Sequence, residues 1–229
     1  MATLPGELVL QSPWRPRPQT ETAPESPRAS KKARPSVQSI SVTAKPHSPG
    51  AAAAAVEWGA GTRVHVTVAA PRQPSQSSMS HDHGILEVEV YAAPFATTDQ
   101  ELLPESEIAR LAREGLTSII DLSAYPKSVI SLKAVVLAMQ TATITAVMPA
   151  IILGATAALE AADLSLKGRL IGSSTDRDGV VSVTAFDIIS GRLAILHSPR
   201  GLPDIAAGLS TAKQLESDLC SLGSLKPRN

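Results

Sequence analysis

Between Lys133 and Glu160 lie 26 consecutive residues without a charged side chain. Such a stretch has to leave water, either as a membrane-spanning helix of about 20 apolar residues or inside a protein core. Gln140, Thr141, Thr143, Thr145, Pro149 and Thr156 interrupt it, and this polar insert falls where a spanning helix needs its apolar centre. The stretch also changes character midway. Val129 to Leu137 reads as a strand, and Ala150 to Ala162 as a helix so rich in Ala and Gly that it must pack very closely. The expectation is a domain folded around one buried strand and one buried helix, with no membrane as partner.

Charge is divided unevenly along the chain. The 229 residues carry 21 basic and 21 acidic side chains, yet residues 1–50 hold seven Lys/Arg against three acids, together with nine of the 18 prolines. The head is thus +4 and the remainder −4 (21 − 7 = 14 basic, 21 − 3 = 18 acidic). Residues 1–35 are rich in Pro, Ser and Arg and lack an apolar period, which predicts a disordered basic arm. Residues 36–229 have the size of one domain with a substantial core. A slightly acidic body does not suit a free-standing nucleic-acid binder, and six aromatic residues are few for base-stacking platforms. The single cysteine, Cys220, leaves no intramolecular disulfide and no cysteine-based zinc site, so a reducing compartment is expected. No basic segment followed by an apolar run opens the chain, so a secretory signal is not expected. Ser30 to Pro35 is a short basic cluster that reads as an ordinary solvated linker before it reads as a nuclear-import address.

Periodicity organises the body. Val37 to Val42 is strand-like, and Pro46 to Gly50 reads as a turn. Ala51 to Trp58 and Arg63 to Val68 form a hairpin through Gly59-Ala60-Gly61, with apolar residues at every second position of the second strand. After a polar loop over residues 71–84, Leu86, Val88 and Val90 share one face of a strand and Glu87 and Glu89 the other. A helix opens at Pro104 with acids in its first turn, buries Ile108, Leu111, Leu116 and Ile119, and ends by Pro126. Beyond the buried strand and helix, Leu164 to Ile171, Val180 to Phe186 and Arg192 to His197 read as strands, and Pro203 starts a last helix that Gly223 stops. The expected class is α+β: mixed sheets with helices packed on one side.

Several clusters carry residue types used in catalysis. His81-Asp82-His83 has the donors of a metal site but no third ligand spacing, so it reads as a polar loop. His197-Ser198 with Asp187 or Asp204 holds the members of a hydrolase triad without a nucleophile elbow. Asp176-Arg177-Asp178-Gly179 suits a turn better than a divalent-ion site. No Walker loop or dinucleotide fingerprint occurs. No metal and no cofactor are expected. The basic residues of the body, Arg169 among them, are scattered and read as solvated or half of weak surface ion pairs.

Five segments together resemble the RNase PH-like family. Gly50 to Arg72 resembles its opening hairpin, and Gly84 to Ala96 its fourth strand with the Ala-Pro-Phe end. Tyr125 to Ile130 is similar to its Tyr-Pro-Arg/Lys-Ser-x-Ile element, Ala155 to Asp163 to its Ala-rich helix, and Ser190 to Leu196 to its late hairpin. Within the family, the extended head and Ala92 to Ala96 are most similar to eukaryotic RNA exosome ring subunits of the mRNA transport regulator type. The resemblance implies a six-membered ring of RNase PH-like chains under RNA-binding cap proteins, with RNA threading through to a separate nuclease. It also implies residence in nucleus and nucleolus as well as cytoplasm.

Three departures from the family pattern point to loss of catalysis. Active members place an arginine-rich loop after the Ala-Pro-Phe strand. Here Thr97 to Glu107 carries four acids and no base, which repels phosphate and RNA alike. Ala142 to Pro149 stands where an Asp-Gly-Gly-Thr/Ser-like turn is expected, and with Ser190-Gly191 aligned to the family turn Val181 stands at the second of two expected aspartates, with Asp176 and Asp178 nearby. The leading expectation is a non-catalytic ring subunit that scaffolds partners and lines part of an RNA channel, with Arg63, Arg72, Lys127 and Arg177 as candidate RNA contacts. The alternatives are an active phosphate-dependent exoribonuclease and an unrelated nuclear adaptor.

Overall fold

The computed structural model describes residues 40–59, 61–73, 82–96, 102–177, 180–198, 204–221 and 225, with the side chains of Arg177 and Val180 left out. The expected disordered arm over residues 1–35, His81, Thr97 to Glu101, Asp178 and Gly179, Pro203 and Gly223 lie outside these residues.

Eight strands and three helices follow one another: β1 (Ile40–Ser48), β2 (Ala51–Trp58), β3 (Thr62–Arg72), β4 (Ile85–Ala92), α1 (Glu105–Ile119), β5 (Val129–Ala138), α2 (Ile144–Ala161), β6 (Leu170–Arg177), β7 (Val180–Asp187), β8 (Arg192–His197) and α3 (Ile205–Ser221). Five strands form one sheet in the order β1-β2-β3-β5-β4, and β6-β7-β8 form a second. Among the described residues only β4 and β5 run parallel, because α1 carries the chain across between them, as a parallel pair requires.

The small-residue hairpin sets the first packing layer. Ala52, Ala54 and Val56 pair with Val68, Val66 and Val64, all buried, so one face of the large sheet is apolar and nearly flat. α2 lies on it. Gly154 makes the approach possible: a Cβ there would stand 2.8 Å from Val66 Cγ2 and 3.0 Å from Val56 Cγ2. The other side of α2 meets the second sheet, where Gly172 admits Pro149 and Ile152. The helical part of the uncharged stretch is thus buried between two sheets, which is why α2 carries an apolar circumference rather than a stripe. α1 covers β4 and touches α2 on the same face of the large sheet, as expected. α3 covers the far face of the small sheet, with Gly208 against Thr184 and Phe186.

Several element boundaries differ from the sequence reading. α1 ends at Ile119, seven residues before Pro126; a short 3-10 turn over Leu122–Ala124 fills the gap. α2 begins at Ile144 and carries Pro149 inside its second turn, at the cost of the one bond that an amide there would make to the Thr145 carbonyl. Residues 164–169 form no strand apart from a bridge between Leu166 and Ile120, and β6 starts at Leu170. β1 runs on through Pro46, with a register shift between Pro46 and Ser48; an edge strand tolerates the missing donor. The hairpin turn is as expected, with Gly59 at φ 58°.

The large apolar side chains left exposed fall into two groups. Ile85, Tyr91, Phe95, Leu102 and Leu137 lie on or next to β4 and β5. Val181, Ile189, Leu193, Leu196 and Ile205 lie on or next to β7, β8 and the start of α3.

Candidate functional site

One end of the molecule collects the segments that the family pattern marks. The carboxyl ends of β4 and β5 lie side by side there, with Ala92 opposite Val136 and Ala138 opposite Arg63 at the start of β3. The amino ends of α1 and α2 open at the same end. Glu105, the first residue of α1, accepts a hydrogen bond from the Ala92 amide at 2.6 Å on Oε1. The helix start is thereby tied to the strand end, and a carboxylate sits where the helix dipole favours it. Two residues on, Glu107 Oε1 lies 4.0 Å from Nδ1 of His197, the last residue of β8.

The stretch before α2 is built differently from the turn that catalytic relatives are expected to carry. Thr143 is the N-cap residue, with extended φ and ψ but no side-chain cap hydrogen bond. The hydroxyls of Thr141, Thr143 and Thr145 run in a row, 3.4 and 3.2 Å apart. Behind them Ile144, Val147 and Met148 are buried, so Ala142 to Pro149 is mostly the first turns of a core helix. At the carboxyl end of β6, Asp176 is the direct cross-strand partner of Val181. Val181, which the resemblance sets at the second aspartate position, is exposed and faces Asp176 across the two strands.

The triad residue types are not assembled. Asp187 accepts hydrogen bonds from the amides of Arg169 at 3.0 Å and Ile189 at 3.2 Å and from the Ser190 hydroxyl at 2.6 Å. Burial pushes its carboxyl up, but these donors outweigh it and hold it below the usual aspartate range. Asp204 caps α3 through the Ala207 amide at 2.9 Å. Both aspartates hold turns. Asp82 and His83 are exposed, and no group of three or more His, Cys, Asp or Glu is placed to hold a metal ion among the described residues.

The four candidate RNA contacts separate. Arg63 lies at the end just described and pairs with Glu57 at 3.0 Å. Arg177 ends β6. Arg72 lies at the opposite end of the large sheet, opposite Val129, with its guanidinium 3.4 Å from the Ser131 hydroxyl and 3.9 Å from Glu87. Lys127 sits two residues before Val129 in a left-handed turn, φ 55°. The fold therefore brings Arg72 and Lys127 to one rim and leaves Arg63 at the other.

Two arrangements escaped the sequence reading. Arg169 is not a surface residue. Its side chain is 1% exposed and pairs with Glu160 at 2.7 Å and Glu216 at 3.1 Å. A second hydrogen bond to Glu160 at 3.1 Å makes that pair bidentate, and Cys220 Sγ lies 3.5 Å away. Burial acts to lower the guanidinium pKa, yet Glu160 and then Glu216 raise it overall. Gly168 beside it approaches Asp187 so closely that no Cβ would fit. On the outer face of the large sheet, Lys133 Nζ lies 4.8 Å above the Tyr91 ring. The Tyr91 hydroxyl donates to Glu89 at 3.0 Å, and this hydrogen bond raises the phenol pKa.

Comparison with known proteins bears on these geometries. The family model described as "3′ exoribonuclease family, domain 1" (RNase_PH) matches residues 31–165, more than half of the chain. A search of the curated proteins finds no match. Among solved structures, the chain is similar to the crystal structure of rice (Oryza sativa) Rrp46, with TM-score 0.67 and 18% identity over 82% of this chain and 94% of that one. It is also similar to the Archaeoglobus fulgidus exosome with RNA bound to the active site, with TM-score 0.59 and 15% identity over 80% and 88% of the two chains.

Proposed function

The chain belongs to the 3′ exoribonuclease family, and from that membership we propose that it is a non-catalytic ring subunit of an RNA exosome. In this reading it scaffolds 3′-5′ RNA processing and degradation beside other RNase PH-like chains and under RNA-binding cap proteins, in nucleus, nucleolus and cytoplasm. The two similar solved structures, rice Rrp46 and an archaeal exosome, support the family context.

One observation carries the loss of catalysis. At the end where active relatives gather cations around phosphate, Glu105 is hydrogen-bonded into the fold at 2.6 Å and Glu107 stands beside it. Attack by phosphate on an RNA 3′ end brings two anions together and depends on charge-assisted donors. Carboxylates fixed in that place oppose both. Arg72 and Lys127 are the better-placed RNA contacts, since they share a rim away from these acids. The subunit type stays with the resemblance to the mRNA transport regulator type.

A phosphorolysis assay tests the reading. The assembly purified through the full chain is expected to show no phosphate-dependent release of nucleoside diphosphates that this chain supplies. Release that is abolished by Asp176→Ala in this chain alone overturns it and favours the active enzyme. Absence of any RNase PH-like partner in the purified material favours the unrelated adaptor instead.

A further inference from the structure

The carboxyl end of β1 departs from the pattern of its strand. A strand against a core alternates buried and exposed residues, and Val42 is buried between exposed Ser41 and Thr43. From Lys45 to Pro49 every residue is exposed. The pairing with β2 also slips there, between Pro46 and Ser48, so that His47 has no cross-strand partner. β1 is an edge of the large sheet, and among the described residues no strand pairs with its outer side. Another protein can therefore line up against the backbone around Ser48 without drawing a core side chain out. The Ser48 hydroxyl makes no hydrogen bond among the described residues. By contrast, Ser123, Ser128 and Ser190, which also lie in or near turns, bond to Asp121, Pro126 and Asp187.

The local sequence says what kind of protein fits. Ser48 is followed by Pro49 and preceded at the second position by Pro46. Each proline fixes φ and removes an amide donor. The segment Pro46-His47-Ser48-Pro49 thus suits the extended-substrate cleft of a proline-directed serine kinase and fits poorly where those donors are needed. Between Ile40 and Val56 the charged or titratable side chains are Lys45 and His47, with no acid, so a phosphate on Ser48 meets no carboxylate along the chain. The turn that follows lies against the end of β3, since a Cβ on Gly50 would stand 3.2 Å from Pro71 Cδ. Arg72 comes next, so Ser48 lies on the rim that carries Arg72 and Lys127.

Resting on the placement of RNA at that rim, we propose that Ser48 is the acceptor of a proline-directed serine kinase and that phosphate on it opposes RNA at Arg72 and Lys127. Ser48 Oγ attacks the γ-phosphorus of a nucleoside triphosphate bound by the kinase. Its proton passes to the general base of the kinase, the bond from the γ-phosphorus to the β,γ-bridging oxygen breaks, and the nucleoside diphosphate leaves. The product adds about 1.5 to 2 negative charges at pH 7 to a rim whose RNA contacts are cations.

Pro24-Glu25-Ser26-Pro27 repeats the motif outside the described residues, so the test reads each site by itself. The full chain is treated with a purified mitogen-activated protein kinase and ATP, and phosphate is located by tandem mass spectrometry. Ser48 should be modified in the folded chain, about tenfold faster than in Pro49→Ala. A folded chain that takes no phosphate on Ser48, or takes it only in urea, overturns the proposal. For the effect on RNA, a treated Ser26→Ala chain is compared with a Ser26→Ala/Ser48→Ala chain treated alike, by fluorescence anisotropy on a single-stranded RNA. The chain with phosphate on Ser48 should bind about threefold more weakly at low salt, and the difference should fade as potassium chloride is raised. Equal affinity at low salt overturns the opposition to RNA. If Arg72→Ala with Lys127→Ala leaves the RNA affinity of the untreated chain unchanged, the rim reading itself falls, while phosphate found on Ser48 still identifies the acceptor.

Discussion

Arg169, which is buried, and Asp187, which is half-buried, show how much two polar side chains contribute to this fold. Arg169 joins the end of α2, through Glu160, to α3, through Glu216. Removing one member of a buried pair leaves the other charge uncompensated, at a cost of about 3–5 kcal/mol. Arg169→Ala should therefore lower the urea midpoint steeply, since Glu160, at 8% exposure, loses its bidentate guanidinium. By contrast Arg63 and Glu57 pair in the open, with side chains 64% and 57% exposed. Arg63→Ala should change stability by less than about 1 kcal/mol in the same titration. Asp187 adds a pH dependence. Its folded pKa lies below the unfolded value of about 3.9, so its contribution is present above that value and is lost as pH falls through the folded one. Urea midpoints followed as the pH is lowered from neutral through this window should fall for the wild type, and Asp187→Asn should flatten that part of the curve.

At the scale of elements, α2 is the decisive one. Its Gly154 touches two valines of the large sheet. Gly154→Leu should overpack that contact and cost about 1–3 kcal/mol, read as a lower thermal midpoint with the helix content of the folded state retained. The elements with clean periods were legible beforehand: the hairpin β2–β3, whose alternate valines fill one face, and α1, whose buried stripe Ile108, Leu111, Leu116 and Ile119 is as expected. Boundaries set by tertiary contact were not. The strand read over residues 164–171 moves to Leu170–Arg177, because residues 164–169 direct their hydrogen bonds to other partners. The Ser165 amide donates to the Tyr125 hydroxyl at 2.7 Å, and the Lys167 amide to the Ile119 carbonyl at 2.6 Å. The early start of α2 was hidden for a similar reason. Pro149 reads as a break in a local scan, yet it falls in a second turn with little helix before it to disrupt.

For the whole molecule, the zero net charge is a sum over parts of opposite sign. The head carries the positive excess, so RNA affinity of the full chain should depend on it. Replacing Lys31, Lys32 and Arg34 by Ser should weaken binding to a single-stranded RNA. The slope of log affinity against log salt should also become shallower, by about 0.7 for each phosphate that the head no longer neutralises. Fluorescence anisotropy over a potassium chloride series checks this; an unchanged slope would remove the head from RNA binding. Within the body, Ile85 to Glu107 holds six of the 18 acids and no Lys or Arg.

What the sequence by itself determined is what one-dimensional periodicity and local charge can encode: the alternating strands, the amphipathic α1, the uncharged core segment, the acids after the Ala-Pro-Phe end and the family resemblance. The tertiary structure alone decided that the helical part of the uncharged segment lies between two sheets, that Arg169 is buried and that Arg63 parts from Arg72 and Lys127. It also decided that the large exposed apolar side chains of the described residues fall into two groups, one around β4 and β5 and one around β7, β8 and the start of α3. The physical reason is common to all four. Burial, pairing and exposure depend on contacts between residues far apart in the chain, and no local window carries their sum.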